Sequence, residues 1–294
     1  MAPKERQHLP FPIPDHYQES GKWLEFRPRL QMGNKQQWWL LFQDDCLSHL
    51  EEQLSTYNFN IQLAMARYHE SLAMLQISRS KLYPTIMASN FLNRQKNSST
   101  LNEAVPPYLY TNVLLGAFLN YEVDAWASVR NTVAASKHLA KASRYDLAAI
   151  DLNLHTLLAK LYFQLQALNA EQTLLNRIVE CYEHQLRLFH HLHQDGAVSA
   201  LEEDIAQKKV DIAKTHATQL KIKRSKIRHA IAVLLGQNPS HFKFEPSMYP
   251  FKYVKIAPRL PSELLMQRPD LAAASERVKS ANATIGVARA AFLP

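Results

Sequence analysis

Leu147, Leu154, Leu161, Leu168, Leu175, Tyr182 and Phe189 fall seven residues apart, and a second seam runs through Leu158, Leu165, Val179 and Leu186. A seven-residue apolar repeat held this long keeps one stripe of a helix facing a partner and imposes a left-handed supercoil. The spacing predicts a helix from Asp124 to about His193, packed lengthwise on other helices. About seventy residues at 1.5 Å each reach roughly 100 Å, more than a compact globule of 294 residues needs. No proline interrupts the chain between Pro107 and Pro239, so nothing there breaks a helix on steric grounds.

Asp195-Gly196 then forms a tight reversal, and Ser199 starts a return helix with Glu202 and Glu203 in its first turn. That helix ends at Leu235, with Gly236 closing it. Its seam is Ala206, Val210, Ala213, Ala217, Leu220, Ile227, Ile231 and Leu234, interrupted by Arg224. The pair is an antiparallel coiled hairpin (124–236) with its tip at Asp195 to Ser199.

A second organising feature is a degenerate repeat, which fixes architecture before any local reading does. Setting Pro294 on Pro84, 210 positions apart, places Ala274 on Ala64, Arg277 on Arg67, Ala283 on Ala73 and Arg289 on Arg79. Leu271, Val278, Ile285, Val287 and Phe292 fall on Ile61, Tyr68, Leu75, Ile77 and Leu82. Both copies are Ala-rich helices stopping before a proline. The predicted organisation is a Pro-rich arm (1–43), a first repeat (44–261) and the opening of a second (262–294). Within the first repeat come a helix (44–82), a strand pair (85–123), the coiled hairpin (124–236) and a linker (237–261).

In the helix 44–82, Asp44 or Asp45 is the N-cap, Asn58 and Asn60 make a weak point, and Pro84 ends it. Trp38, Trp39 and Phe42 form an aromatic patch for docking the arm. From Thr111 to Val123 the period changes to two. One face carries Val113, Leu115, Ala117, Leu119, Tyr121 and Val123; the other mixes Asn112, Leu114, Gly116, Phe118, Asn120 and Glu122. That is a strand with one apolar face, long enough for a tilted membrane-barrel strand of about 9–11 residues. The partner run Thr85 to Gln95 alternates less clearly, and 96–107 is the loop between them. The same pattern also fits a surface hairpin of a soluble protein.

Composition then excludes function classes. With 47% hydrophobic and 20% charged residues the chain is not of disordered composition. The formal charge of +8 concentrates in Lys208 to Arg228. It fits an anionic partner or, in the absence of aromatic interleaving, a solvated helix face, and no nucleic-acid motif accompanies it. Cys46 and Cys181 match no metal or redox spacing. His190 and His193 share a helix face beside His191 and His184, a pattern better suited to a helix C-terminus than to a metal. Glu202, Glu203 and Asp204 likewise suit a helix first turn. No phosphate loop, nucleophile elbow, zinc helix or CxxC occurs, so no enzyme, cofactor or metal is expected. No 18-residue apolar run is present, and no apolar signal region follows Met1, which by itself reads as cytosolic.

The run RPDLAAASERVKSANATIGVARAAFLP, with Arg268, Pro269, Asp270, Ala283, Gly286 and Pro294, resembles the signature opening the second repeat of TolC-like outer membrane factors. The likeness is strongest to the NodT-type lipoprotein branch serving RND efflux pumps. WWLLFQDDCLSHL resembles that family's N-terminal block, with Asp45 where a proline is usual. LNYEVDAWASVR, YFQLQALNAEQTLL, DGAVSALEEDIAQ, HAIAVLLGQNP and LPSELLMQRPDLAAA follow in the family's order, so the likeness covers nearly all of 10–294.

The resemblance implies a mainly α fold: long coiled helical hairpins of an α-barrel plus a β-hairpin given to a transmembrane β-barrel. It implies a homotrimer, an outer-membrane location reaching into the periplasm, passive export of small molecules such as drugs or metal ions, and no chemistry. The partners it implies are a periplasmic adaptor (membrane fusion protein), an inner-membrane pump and outer-membrane lipid. Carried over by position, the adaptor contact falls at Asp195, Gly196, Val198 and Ser199, and the lipid face at Val113 to Val123. The family's lipid-attachment Cys would precede Met1 and its second half would follow Pro294, so the chain is expected to be truncated. A soluble coiled-coil scaffold, or a non-functional fragment, is the alternative.

Overall fold

Asp44 starts the first helix, and Asn58 separates it from the second. In the computed structural model, which describes residues 37–96, 109–244, 265 and 267–293, a short 3₁₀ turn, Trp38–Phe42, leads to α1 (Asp45–Tyr57) and α2 (Phe59–Ser80). The Asp44 carboxylate accepts from the backbone N–H groups of Cys46 (3.0 Å) and Leu47 (3.1 Å), supplying partners that a helix N-terminus otherwise lacks. Asn58 leaves the helical region (φ −74°, ψ 120°). Its Oδ1 accepts from Asn60 N and Ile61 N at 2.8 and 3.1 Å, so the expected weak point is a break recapped by its own asparagine. Then follow β1 (Thr85–Lys96), β2 (Leu109–Asn120), α3 (Ser128–Gln194), α4 (Ala200–Leu234) and α5 (Pro269–Ala290). The expected arm before residue 37, the loop 97–108, linker residues 245–261 and Pro294 lie outside the described residues.

The chain divides into two units. One holds residues 37–66 and 146–269, as far as they are described, and its core is built by α1, α3 and α4. Leu47, Leu50 and Leu54 of α1 meet Leu158, Tyr162 and Leu165 of α3 and Ile231, Leu234 and Leu235 at the end of α4. Trp39 is buried with them and stacks on His155 at 4.5 Å, and Phe42 packs on Phe163; the arm that this aromatic patch was expected to dock lies outside the described residues. In α4, Ala206, Val210, Ala213, Ala217, Leu220, Ile231 and Leu234 are buried, while Ile227 packs partly buried against the core. The helix ends in a Schellman motif: Gln237 N–H donates to Ala232 O (2.9 Å) and Gly236 N–H to Val233 O (3.1 Å). Gly236 has φ +66°, and a Cβ there would lie 2.7 Å from the Tyr57 carbonyl, so both conformation and space require glycine.

The other unit holds the described parts of 67–145 and 270–293. Here β1 and β2 pair antiparallel over twelve rows, from Thr85 opposite Asn120 to Lys96 opposite Leu109. The beginning of α3 packs with the end of α2 and with α5. Ser78 and Ser136 hydroxyls meet at 2.7 Å, Ser280 Oγ donates to Ala135 O (3.0 Å), and Glu276 bonds His138 Nδ1 (2.7 Å) and Lys279 Nζ (2.8 Å). Burial opposes ionisation of Glu276, but these two partners outweigh it and hold the carboxyl below its usual value. The bounds of α2 and α5 differ by 210 residues at both ends. Their faces do not match. Ile61 and Leu75 are buried, but the aligned Leu271 and Ile285 are exposed, and α5 buries Ala273, Glu276, Ser280, Ala283, Gly286 and Ala290 instead.

Candidate functional site

The hairpin tip is built by two helix ends. Gly196 takes φ +72°; its N–H donates to His193 O (2.9 Å) and Ala197 N–H donates to Leu192 O (2.8 Å), a second Schellman closure. Six residues after Gly196 the Glu202 carboxylate reaches back to accept from Ser199 N (2.8 Å) and Ser199 Oγ (3.2 Å), fixing the start of α4. Asp195, Gly196 and Ser199 are exposed and Val198 is half-buried. A Cβ built on Gly196 meets nothing within 4 Å, so the space above it is open. The histidines serve this closure. His190 Nδ1 pairs with Glu203 Oε1 across the hairpin (2.7 Å), and His193 Nδ1 donates to Val198 O (3.1 Å). Among the described residues no group of three His, Cys, Asp or Glu side chains could hold an ion. Farther along, Lys214 and Glu183 pair at 2.7 Å; that bond holds the Glu183 carboxyl below its usual value.

The strand ribbon gives the second surface. Directly opposite residues share a face, so the register assigns partners to the expected odd-numbered face: Leu119 with Ile86, Ala117 with Ala88, Leu115 with Asn90, and Val113 with Leu92. Arg94 and Lys96 continue that face at the end next to residue 97. Ile86, Leu92, Val113, Leu115 and Leu119 are all exposed. The opposite face joins Phe91 to Leu114 and Met87 to Phe118 among Asn93, Asn112, Ser89, Gly116, Thr85 and Asn120. Tyr121 and Val123, expected on the same strand face, follow the strand end at Asn120 and are exposed. The alternation of β1 was unclear in sequence because its own polar residues break it; pairing supplies the missing apolar partners.

A buried polar cluster in the helical unit escaped sequence reasoning. Tyr162 O–H donates to Asp44 Oδ2 (2.7 Å) and accepts from Gln166 (3.0 Å). Burial, then the Asp44 carboxylate, push the Tyr162 phenol above its usual value. Beside it, His155 Nδ1 lies 2.6 Å from Glu51 Oε2, and its Nε2 faces Ser55 Oγ at 3.3 Å and Asp151 at 3.5 Å. Burial works to lower the His155 pKa, but the hydrogen bonds and charges of Asp151 and Glu51 outweigh it and raise it to about 9. Burial raises Glu51 as well, against the pull of His155. The order Ser55–His155–Glu51 mimics a nucleophile set. Here, however, the Ser55 hydroxyl donates to the Glu51 backbone carbonyl (3.2 Å), and the carboxylates hold the imidazole as a cation, which cannot act as a base. Its role is structural: it ties α1 to α3. The only sequence hint was the neighbouring Trp39.

Of the signature residues, Ala283 is buried and Gly286 lies against Asn131, whose side-chain atoms would be 2.8–3.1 Å from a Cβ at that position. Asp270 Oδ1 accepts from Leu271 N (3.0 Å) in the first turn of α5. No helix among the described residues is long and apolar enough to cross a membrane.

The outer membrane efflux protein family matches residues 47–237. The pyoverdine export outer membrane protein OpmQ of Pseudomonas aeruginosa is 29% identical over 280 residues, covering 90% of this chain and 57% of OpmQ. The probable outer membrane lipoprotein SilC of Salmonella typhimurium is 24% identical over 299 residues, covering all of this chain and 62% of SilC. Among solved structures, the outer-membrane channel OprN superposes with a TM-score of 0.80 at 24% identity, over 99% of this chain and 64% of that one. The Campylobacter jejuni CmeC outer membrane channel gives 0.82 at 24% identity, over 99% and 62%. These two likenesses are of fold. The chain therefore spans somewhat over half the length of the curated relatives it matches.

Proposed function

The chain belongs to the outer membrane efflux protein family, and we propose that it is the first-repeat portion of an outer-membrane channel working in a tripartite, RND-type efflux system. Family membership makes it a non-enzymatic channel component; its fold is the TolC-like one, mainly helical with a β-hairpin. In the finer reading, residues 44–261 form one repeat and 262–294 open the second. Three protomers share a β-barrel in the outer membrane and an α-barrel in the periplasm. Small molecules such as drugs or metal ions leave passively through the duct, driven by an inner-membrane pump that acts through a periplasmic adaptor.

The observation that carries this reading is the exposed ribbon. Two strands of twelve residues are marginal in water on their own. Open strand edges are not tolerated in lipid. A ribbon with Ile86, Leu92, Val113, Leu115 and Leu119 on one surface fits a closed barrel made with other strands, that surface against the acyl chains. The tip supports the adaptor contact: Gly196 and Val198 sit on a rigidly capped turn with open space above the glycine. A soluble scaffold would need to cover the ribbon's apolar face.

The test is to delete the gene and restore it as wild type or as Val198→Asp, following retention of a fluorescent export substrate and co-purification of the adaptor with outer-membrane fractions. Wild type should lower retention and bring the adaptor down. Val198→Asp should do neither while reaching the membrane in equal amount. A protein recovered as a detergent-independent soluble monomer, or full export with Val198→Asp, would overturn the channel reading or the tip assignment respectively.

A further inference from the structure

The basic run of α4 has a shape that the channel reading does not use. Lys221, Arg224, Ser225 and Arg228 follow one another at helix-face spacing. They border a cleft of about 250 Å³ that Leu165 and Asn169 of α3 and Phe244 also line. Arg224 falls in the seam between Leu220 and Ile227 and has a partner of its own. Arg228 and Ser225 are half-buried. Among the described residues, the side chains of Lys221, Ser225 and Arg228 have no hydrogen-bond or ion-pair partner. Across the cleft, Asn169 Oδ1 is enclosed and receives no hydrogen bond.

Each of these costs free energy in an empty cleft. A half-buried guanidinium without a counter-ion, as at Arg228, loses hydration and regains nothing. An enclosed amide oxygen can be satisfied only by a donor. An anion relieves the first; a hydroxyl on that anion relieves the second. We propose that this cleft binds a small oxyanion that also carries a hydroxyl group, of the hydrogen phosphate or hydroxycarboxylate class. Its oxygens would face Lys221, Arg228 and the Ser225 hydroxyl, its O–H would face Asn169, and Leu165 and Phe244 would form an apolar wall.

Calorimetric titration of the purified chain in detergent, at fixed ionic strength in chloride, tests this with three probes: inorganic phosphate, sulfate and citrate. Hydrogen phosphate should bind saturably at one site. Sulfate, alike in charge and shape but without a hydroxyl at neutral pH, should bind about tenfold more weakly, the worth of one hydrogen bond. Arg228→Ala should weaken phosphate binding by about tenfold or more, while Lys223→Ala, which does not line the cleft, should not change it. Citrate binding more tightly than phosphate would place the ligand among hydroxycarboxylates, and the reverse among phosphates. Unchanged helicity by circular dichroism certifies the fold; if Arg228→Ala does not fold, Arg228→Lys and Ser225→Ala replace it and should weaken binding severalfold. Absence of saturable binding for both phosphate and citrate, or binding that survives these substitutions, overturns the site. Equal affinity for sulfate and phosphate overturns the role of Asn169 and the hydroxyl.

Discussion

Asn58 holds two helices by their ends. Its Oδ1 caps α2 through Asn60 N and Ile61 N, and its Nδ2 donates to the Leu234 carbonyl at the end of α4 at 2.7 Å. The residue is only 2% exposed, so water cannot replace either set of bonds. Asn58→Ala removes the cap, a loss of about 1 kcal/mol, and leaves the Leu234 carbonyl without this donor, about 1–3 kcal/mol more. The expected destabilisation is about 2–4 kcal/mol. Asn58→Asp separates the two roles. It keeps the acceptor that caps α2 and adds a charge favoured there, but it sets a carboxylate oxygen against the Leu234 carbonyl. Burial and that facing acceptor raise the new carboxyl's pKa in the folded state, and protonation restores an O–H donor to Leu234. A group whose folded pKa is raised as an acid stabilises the fold in its protonated form, so stability rises as pH falls and is lost as pH rises through the folded pKa. Urea unfolding followed by circular dichroism from about pH 8 down to about pH 4.5 should show Asn58→Asp as damaged as Asn58→Ala at the alkaline end. It should recover much of the loss at the acid end, where Asn58→Ala does not. Asn58→Ala within about 0.5 kcal/mol of wild type, the range of a neutral surface change, or an Asn58→Asp pH slope equal to wild type, would refute the reasoning.

Gly286→Ala should destabilise by about 1–3 kcal/mol, because its Cβ would lie 2.8–3.1 Å from the Asn131 side chain. Adding Asn131→Ala should restore most of that, since Asn131 Nδ2 is buried with no partner to lose; a double-mutant cycle in thermal unfolding measures the coupling. Gly236→Ala should cost about 2 kcal/mol or more by the same assay, as it meets the Tyr57 carbonyl at φ +66°. The His155 cation adds stability that is complete below its unfolded pKa near 6.5 and is lost as pH rises through about 9. Unfolding free energies from urea titrations should therefore fall between those values, by on the order of 3 kcal/mol at most, and His155→Gln should flatten the slope.

How far the fold was legible depended on whether one short window carried the whole signal. The α4 seam, the Asp195-Gly196 reversal and the capping carboxylate Glu202 are local, and the sequence period placed them. The buried cluster is not local. Glu51 and His155 are 104 residues apart, and each, on its own helix, looks like a solvent-facing charge. Only the packing of α1 on α3 converts them into an ion pair stacked under Trp39. The strand pair was half legible for a related reason: β2 alternates by itself, whereas β1 gains a readable face only once Leu92 and Ile86 stand opposite Val113 and Leu119.

The orientation of α5 exposes a limit of hydrophobic periodicity itself. Leu271, Val278 and Ile285 recur every seven residues, which on the usual argument marks the buried side. All three are exposed, and the buried side consists of Ala273, Ser280, Ala283, Gly286 and Ala290 with Glu276, of which Glu276, Ser280 and Gly286 meet the start of α3. Small side chains win there because the contact is close. Ser280 Oγ bonds the α3 backbone at Ala135, and Gly286 leaves no room for a methyl group beside Asn131. A large side chain at those positions would force the helices apart and break both contacts. The helix thus has two packing faces, a small-residue face in use and a seven-spaced apolar face exposed. In a lone chain the second is a cost; in the proposed channel, where further helices complete the α-barrel, it is the seam they would pack against.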